Sequence, residues 1–216
     1  MNKEHLIDFE RKKRIGIPET IFCLDKDVNQ IKNILNDLDK NKTTLFTRLS
    51  KEKYSNLPKI IQKKLKYDRA SKTAIYGKTP TLTKNYNIAI ICAGTSDMPI
   101  VLEAQQTLIS YGEYSNIFAD LGVAGLWRIQ KHLEEIKKYK IIIIVAGMDG
   151  ALVSVLGGLV SQPIIAVPTS TGYGVSNNGN TALNAMLASC SPGITLVNID
   201  NGYGAANAAI RILNAI

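Results

Sequence analysis

Two side chains of this sequence could carry chemistry of their own. Cys190 lies in "ASCSPG", between a helical pattern and a Pro-Gly pair, and its thiolate could act as a nucleophile. Asp149 is the carboxylate of the turn "AGMDG" and could act as a general base. The plainer alternatives are a small buried hydrophobe for Cys190 and a helix cap for Asp149. Because His132 flanks the apolar face of a lysine-rich helical pattern, we expect it to be solvated, and a Ser-His-Asp triad is not indicated.

Further polar residues lie in four glycine-rich turns: "CAGTSDMP", "VAGMDGALVSVLGG", "VPTSTGYGVSNNG" and "NIDNGYGAANAA". Glycine lets a backbone approach a ligand closely, and the amides at a helix N-terminus favour a phosphate or carboxylate. One such turn alone could be simple helix capping. Four of them predict a cleft, with phosphate and ribose near the first turn. The candidate substrate-binding residues are Thr95, Ser96, Asp97, Thr169, Ser170, Gly172, Tyr173, Gly174, Asp200, Asn201 and Gly202.

The elements that must position these turns follow from hydrophobic periodicity. From about residue 86, the runs "NIAIICAG", "SNIFAD", "KIIIIVAG", "QPIIAVPT" and "GITLVNID" alternate with amphipathic helical stretches, including residues 96–111 and 177–188. Another predicted helix carries Leu126, Ile129, Leu133 and Ile136 on one face. This alternation predicts an α/β protein: a three-layer αβα sandwich with a parallel, flavodoxin-like or Rossmann-like sheet. In such sheets ligands bind at the carboxyl ends of the strands.

The composition changes along the chain and marks two regions of different character. Residues 1–84 hold 20 of the 26 Lys and Arg residues, and residues 85–216 hold 14 of the 16 glycines. We predict an extended arm over residues 1–20, a small basic α/β region over 21–84, and a nucleotide-binding catalytic domain over 85–216. Within the middle region, "DVNQIKNILNDLD" and "KEKYSNLPKIIQKKL" are predicted helices, with "TTLFTRL" as a strand between them.

Charge, hydropathy and cysteine count limit the function classes. The lysines are scattered among acids without arginine or aromatic interleaving, so attraction of an anionic nucleotide is favoured over nucleic-acid binding. No apolar run is long enough to span a membrane and no signal-peptide pattern is visible, so we expect a cytoplasmic protein. Three cysteines without C-x-x-C spacing indicate neither a disulfide framework nor a zinc site, and we expect no protein-bound metal.

The glycine-rich turns resemble those of known carboxylases. Residues 86–216 resemble the AIR carboxylase (PurE-like) fold, with "AGTSD" at the position of its nucleotide loop. "VAGMDG" stands at the turn where AIR carboxylases have a catalytic histidine, which this sequence lacks. The closer resemblance, over nearly the whole chain, is to the LarB family. It is carried by "DFERKKRIGIPETIF", "AGTSDMPIVLEA", "DLGVAGLWR", "VAGMDGALVSVLGGLV", "PTSTGYG" and "MLASCSPGITLVNIDNGYGAA".

The LarB resemblance implies a specific reaction. It would be carboxylation of nicotinic acid adenine dinucleotide at pyridinium C5 through a Cys190 adduct, with CO2 or bicarbonate as co-substrate. Phosphoanhydride cleavage would then release AMP and pyridinium-3,5-biscarboxylic acid mononucleotide, for nickel-pincer cofactor synthesis. Asp149 would be the base, although it stands where glutamate is expected, and Trp127 stands where histidine is common.

The same resemblance implies a homo-octamer without a tightly bound cofactor. Mg2+ on the pyrophosphate is compatible with the reaction, but no compact carboxylate cluster demands it. Two alternatives remain open at this point: an AIR carboxylase of purine biosynthesis, and a non-catalytic nucleotide-binding regulator.

Overall fold

The computed structural model of the chain describes residues 4–83 and 85–216. Residues 1–3 of the predicted arm, and residue 84 at the predicted domain boundary, therefore lie outside the described residues. The chain divides into two compact units, Met1–Leu82 with Ile109–Glu113, and Thr83–Leu108 with Tyr114–Ile216.

The N-terminal unit is built on a four-stranded mixed sheet in the order β1-β2-β4-β3. Strand β1 pairs with β2 in parallel, and the other pairs are antiparallel. The elements are α1 (Arg11–Ile15), β1 (Thr20–Phe22), α2 (Val28–Asp37), β2 (Thr44–Thr47), α3 (Lys51–Asn56), α4 (Lys59–Gln62), β3 (Leu65–Asp68) and β4 (Thr73–Tyr76).

This unit has a hydrophobic core of its own. Ile31, Ile34 and Leu35 recur at helical spacing on α2 and pack with Phe46 of β2 and with Cys23. Helix α2 begins at a capping box, in which the Asp27 carboxylate accepts from the Gln30 amide at 2.8 Å and the Gln30 side chain accepts from the Asp27 amide at 3.0 Å. The small α/β region therefore contains enough apolar side chains to define its own fold.

Two local predictions in this part differ from the structure. The arm is not extended throughout, because residues 11–15 form α1, and Thr20–Phe22 joins the sheet as β1. The helix expected over "KEKYSNLPKIIQKKL" is broken into α3 and α4 at Leu57-Pro58. Proline lacks an amide hydrogen and forces the preceding residue out of the helical region, which explains the break.

The second unit is a five-stranded, fully parallel sheet in the order β6-β5-β7-β8-β9. This confirms the predicted α/β sandwich. The elements are β5 (Ile88–Cys92), α5 (Met98–Tyr111), β6 (Ser115–Phe118), α6 (Leu126–Ile136), β7 (Ile141–Ala146), α7 (Ala151–Gly157), β8 (Ile164–Pro168), α8 (Asn180–Leu187), β9 (Ile194–Leu196) and α9 (Gly202–Leu213).

The three central strands of this sheet, β5, β7 and β8, are buried on both faces, as their continuous apolar runs require. Alternate residues such as Ile142 and Ile144 pack with Ile129 of α6 and Leu152 of α7. Because all five strands run in parallel, their carboxyl ends meet at one edge, where the four glycine-rich turns lie. We call this edge the carboxyl edge and the opposite one the amino edge.

Two helix predictions are corrected by the structure. Leu126 does not share the buried face of α6 and is 51% exposed, whereas Ile129 and Ile136 are buried. Helix α8 begins at Asn180 rather than at residue 177, because Asn177 and Asn178 adopt left-handed φ values of 47° and 54°. Among the described residues, no helix has the length and apolar character needed to cross a bilayer.

Candidate active site

The turn after β5 is held by a buried carboxylate. Asp97 is 2% exposed. Its carboxylate accepts from the Thr169 hydroxyl at 2.7 Å and from the Gly94 amide at 3.2 Å. Thr169 follows β8 and is itself buried. Asp97 and Thr169 thus link two turns of the carboxyl edge to each other, and the side chains of Thr95 and Ser96 in the first turn are exposed.

The turns after β7 and β8 are joined through their backbones. The Met148 amide donates to the Thr171 carbonyl at 2.9 Å, and the Thr169 amide donates to Ala146 at 3.0 Å. A Cβ at Gly147 would lie 2.6 Å from the Thr169 hydroxyl and 2.6 Å from the Thr171 carbonyl oxygen, so only glycine fits between the two turns. Met148 has φ = 55°, and its side chain is half exposed at this edge.

Asp149 is exposed and lies two residues before the start of α7. One of its carboxylate oxygens accepts a long hydrogen bond from the Ala151 amide at 3.3 Å, whereas the N-cap residue of α7 is Gly150. The plainer alternative, in which Asp149 is the N-cap residue, is therefore not realised. A carboxylate has more acceptor positions than this one bond occupies, so the group can accept further hydrogen bonds.

The third turn presents its side chains to solvent. The Ser170 amide donates to the Asp200 carboxylate at 2.8 Å, which ties this turn to the one after β9. Tyr173 is 83% exposed between Gly172 and Gly174, both of which have positive φ. Ser170, Gly172, Tyr173 and Gly174 therefore form an accessible wall.

The fourth turn opens helix α9. The Asn201 side chain caps this helix by accepting from the Gly204 amide at 2.7 Å. The backbone of Gly202 passes so close to α5 that a Cβ there would lie 2.3 Å from the Ile100 carbonyl oxygen. Buried Glu103 accepts from the Tyr203 amide at 3.4 Å. Asn201 and Asp200 lie at the carboxyl edge, whereas Gly202 is a packing residue.

Cys190 lies at the other edge of the sheet. It follows the end of α8 and precedes β9, and its side chain is exposed. The Ser189 and Ser154 hydroxyls bond at 2.7 Å, and the Ser191 hydroxyl donates to the Ser154 carbonyl at 2.7 Å. The segment carrying the thiol is therefore fastened to helix α7. These serines were not among the predicted site residues, although Ser189 and Ser191 flank the cysteine directly.

The other two cysteines have a different environment. Cys23 and Cys92 are fully buried. Burial raises the pKa of the Cys23 thiol to about 12 and also raises the pKa of Cys92. Both are therefore protonated packing residues near neutral pH, and Cys190 is the accessible thiol.

Most of the candidate residues meet at the carboxyl edge, but Cys190 does not join them within one chain.

An additional cation, Arg128, lies at the start of α6, where it donates to the Asp120 carbonyl at 2.9 Å and forms an ion pair with the Asp120 carboxylate. Its position in "DLGVAGLWR", after a strand, could have identified it. Over residues 4–83 and 85–216 no group of three or more His, Cys, Asp or Glu side chains could hold a metal ion.

Comparison with known proteins identifies both parts of the chain. The LarB/PurE-like N-terminal domain matches residues 4–78, and the AIR carboxylase family model matches residues 87–216. An uncharacterized protein of Methanocaldococcus jannaschii is 39% identical over 209 residues, which cover 92% of this chain and 80% of that protein. A crystal structure of a Treponema denticola PurE2 variant aligns with a TM-score of 0.47 and 18% identity, over 61% of this chain and 90% of its own.

These matches indicate a carboxylase-related enzyme. The chain has an N-terminal LarB-type domain and a C-terminal AIR carboxylase domain, and it is similar to this relative over 92% of its own length. It therefore belongs to the LarB family, which is related to the PurE superfamily.

Proposed function

We propose that this protein carboxylates nicotinic acid adenine dinucleotide at pyridinium C5 and hydrolyses its phosphoanhydride. The products would be pyridinium-3,5-biscarboxylic acid mononucleotide and AMP, the former for nickel-pincer cofactor synthesis. The observation that carries this proposal is the exposed Cys190 thiol in a LarB-family chain whose other two thiols are buried. The proposed assembly is a cytoplasmic homo-octamer.

A pyridinium ring is too electron-poor to attack CO2, and a thiolate removes that obstacle. The Cys190 thiolate adds to a ring carbon next to C5, forming a C–S bond and a neutral dihydropyridine. The enamine carbon C5 then attacks CO2, and the ring nitrogen becomes an iminium. A base removes the C5 proton, the C–S bond breaks, the thiolate leaves with its electron pair and aromaticity returns. Covalent catalysis of this kind replaces one prohibitive step by several accessible ones.

Asp149 is the proposed base for the C5 proton. Its exposed carboxylate accepts one long hydrogen bond from the Ala151 amide and can accept further hydrogen bonds from a ligand. The AIR carboxylase alternative is less well supported, because Met148-Asp149 occupies the turn where those enzymes carry a histidine.

Binding of the dinucleotide is assigned to the carboxyl edge. Thr95 and Ser96 offer hydroxyls beside the first helix start, where amides favour a phosphate. Ser170, Tyr173 and Asn201 would line the remaining sides. Asp97 and Thr169 act indirectly, since their side chains bond to each other. Mg2+ would enter with the pyrophosphate, because no carboxylate cluster of the described residues provides a site.

The test is incubation of the purified protein with the dinucleotide and 13C-labelled bicarbonate, followed by mass spectrometry. We expect AMP and a labelled dicarboxylated mononucleotide. Carboxylation of aminoimidazole ribotide instead would establish the AIR carboxylase alternative. Tight binding of the dinucleotide without turnover, with or without Mg2+, would favour the regulator.

A further inference from the structure

The single tryptophan of the sequence is exposed at the start of helix α6. Trp127 is the second residue of this helix and is 65% exposed. Ile129 and Ile136 attach α6 to the core of the sandwich, so the packing of the helix does not depend on Trp127. An indole combines a large apolar face with one polar group, which makes it a common contact residue for ligands and partners.

The turn that carries Trp127 belongs to the carboxyl edge. Strand β6 runs parallel to β5 and is followed by α6, so this helix begins where the carboxyl ends of the two strands lie. The Leu121 amide donates to the Cys92 carbonyl at 2.9 Å. A Cβ at Gly122 would lie 3.0 Å from the Ala93 carbonyl oxygen. The turn after β6 therefore packs against the glycine-rich turn after β5 and extends the candidate cleft on that side.

A fixed cation covers part of the indole. The Arg128 guanidinium is held by the Asp120 carbonyl and carboxylate. A Cβ at Gly125 would lie 2.7 Å from the Arg128 Nε, so glycine leaves the space that this side chain occupies. The central guanidinium carbon lies over the Trp127 ring, 5.8 Å from its centroid, within the range of a cation–π contact. With the guanidinium over one face, the indole has its other face for a ligand.

The dinucleotide of the proposed function contains two rings that could stack on this face, and their charges differ. The pyridinium is a cation, and Arg128 already places a positive charge against the same indole, so its approach would bring two cations to one ring. A stack with Trp127 would also favour the pyridinium over the neutral dihydropyridine and thus oppose formation of the thiol adduct. Adenine is uncharged throughout the reaction and stacks well on aromatic side chains.

We propose that Trp127 is the stacking platform for an adenine ring, which in the proposed function is that of the dinucleotide. This inference rests on the proposed function for the identity of the whole ligand, and it adds a binding residue outside the four glycine-rich turns. The indole would lie between the Arg128 guanidinium on one face and adenine on the other. Since adenine takes no part in the carboxylation, the stack contributes to binding and not to the chemical step.

Fluorescence of the single tryptophan provides the first test, because a change in indole emission reports on Trp127. The purified protein is titrated with AMP, with ribose 5-phosphate and with nicotinic acid mononucleotide. We expect saturable quenching by AMP alone, since ribose 5-phosphate lacks a base and nicotinic acid mononucleotide carries only the pyridinium. Saturable quenching by either of these two ligands, or no quenching by AMP, would overturn the inference.

Substitutions separate stacking from other contributions to affinity. Trp127→Ala should weaken AMP binding, measured by calorimetry, by about tenfold, whereas Trp127→Phe keeps an aromatic ring and should weaken it by about threefold or less. Because Trp127 is exposed, both variants are expected to fold, which circular dichroism checks. The matched control is Leu126→Ala, at the preceding exposed apolar side chain, and it should bind AMP as the wild type does. Equal AMP affinities of Trp127→Ala and the wild type would place adenine elsewhere.

Turnover distinguishes this inference from the proposed function. With the dinucleotide as substrate, Trp127→Ala should raise KM by about tenfold and leave kcat unchanged, because the stack is present in the ground state and the transition state alike. A lower kcat at constant KM would contradict a binding platform. If AMP binding depends on Trp127 but the wild type makes no dicarboxylated product, the proposed function fails and the adenine platform stands.

Discussion

The N-terminal unit and the parallel sandwich differ in the exposure of a cysteine thiol that each contains. In the N-terminal unit Cys23 is buried among Ile21, Ile31 and Phe46, where burial raises its thiol pKa to about 12. In the sandwich Cys190 is exposed on a segment fastened by flanking serines. The comparison teaches that a cysteine becomes a candidate nucleophile through its accessibility and its fixed position, whereas one packed into a core serves stability.

The largest expected effect is the difference in carboxylation activity between serine variants of these two cysteines. Cys190→Ser should lower carboxylation by at least about a thousandfold, since a hydroxyl is far less acidic than a thiol and cannot supply the same adduct. Dinucleotide binding, measured by calorimetry, should change little. Cys23→Ser should instead lower stability while leaving turnover per folded molecule unchanged. Full turnover by the Cys190→Ser enzyme would contradict the covalent route.

A smaller effect, on stability, is expected from removing a hydrogen bond to the buried Asp97 carboxylate of the sandwich. Thr169→Val removes the hydroxyl that donates to Asp97 and keeps the side-chain shape. The buried carboxylate loses one hydrogen bond, so the free energy of unfolding should fall by about 1–3 kcal/mol. Urea unfolding measures this, with Thr95→Val at an exposed position of the same edge as the matched control. Equal stability of the two variants would show that the bond between these turns contributes little.

The buried thiol of the N-terminal unit predicts a pH dependence. The folded-state pKa of Cys23, about 12, lies above the ordinary value of 9.0, so the folded protein holds the proton after the unfolded chain has released it. This contribution to stability is therefore complete below pH 9.0 and is lost as pH rises towards 12. By pH 10 the loss should be about 1.4 kcal/mol relative to pH 7. Urea unfolding of the wild type and of Cys23→Ala at both pH values isolates this contribution, because the variant lacks it. Parallel pH profiles would argue against it.

The smallest effect concerns the fastening of Cys190. Ser191→Ala removes one hydrogen bond to the Ser154 carbonyl, which is worth about 1 kcal/mol. If that energy holds the thiol in position, kcat should fall about fivefold while KM stays constant. Ser161→Ala, at an exposed serine of the following loop, is the matched control. An unchanged kcat would mean that the other contacts suffice.

Much of the sandwich could be predicted from the sequence, because its strands are continuous β-branched runs and its turns are rich in glycine. The break at Pro58 was missed, because the stretch was predicted as helical throughout, although proline is known to end helices. The hydrogen bond between Thr169 and Asp97 could not be predicted, because no local sequence pattern indicates which turns contact each other across a sheet. The amino-edge position of Cys190 follows from its place before β9. The predicted reaction nevertheless used Cys190 and Asp149 together, although neither had been assigned to an edge of the sheet.

The Asp97–Thr169 bond joins side chains 72 positions apart. During synthesis the first turn leaves the ribosome long before β8 and its threonine are available. The Asp97 carboxylate must therefore remain hydrated until the fourth strand of this sheet along the chain has docked, and the proposed nucleotide cleft cannot form on a shorter nascent chain. The ligand binding proposed for this cleft would thereby be restricted to chains whose translation is nearly finished.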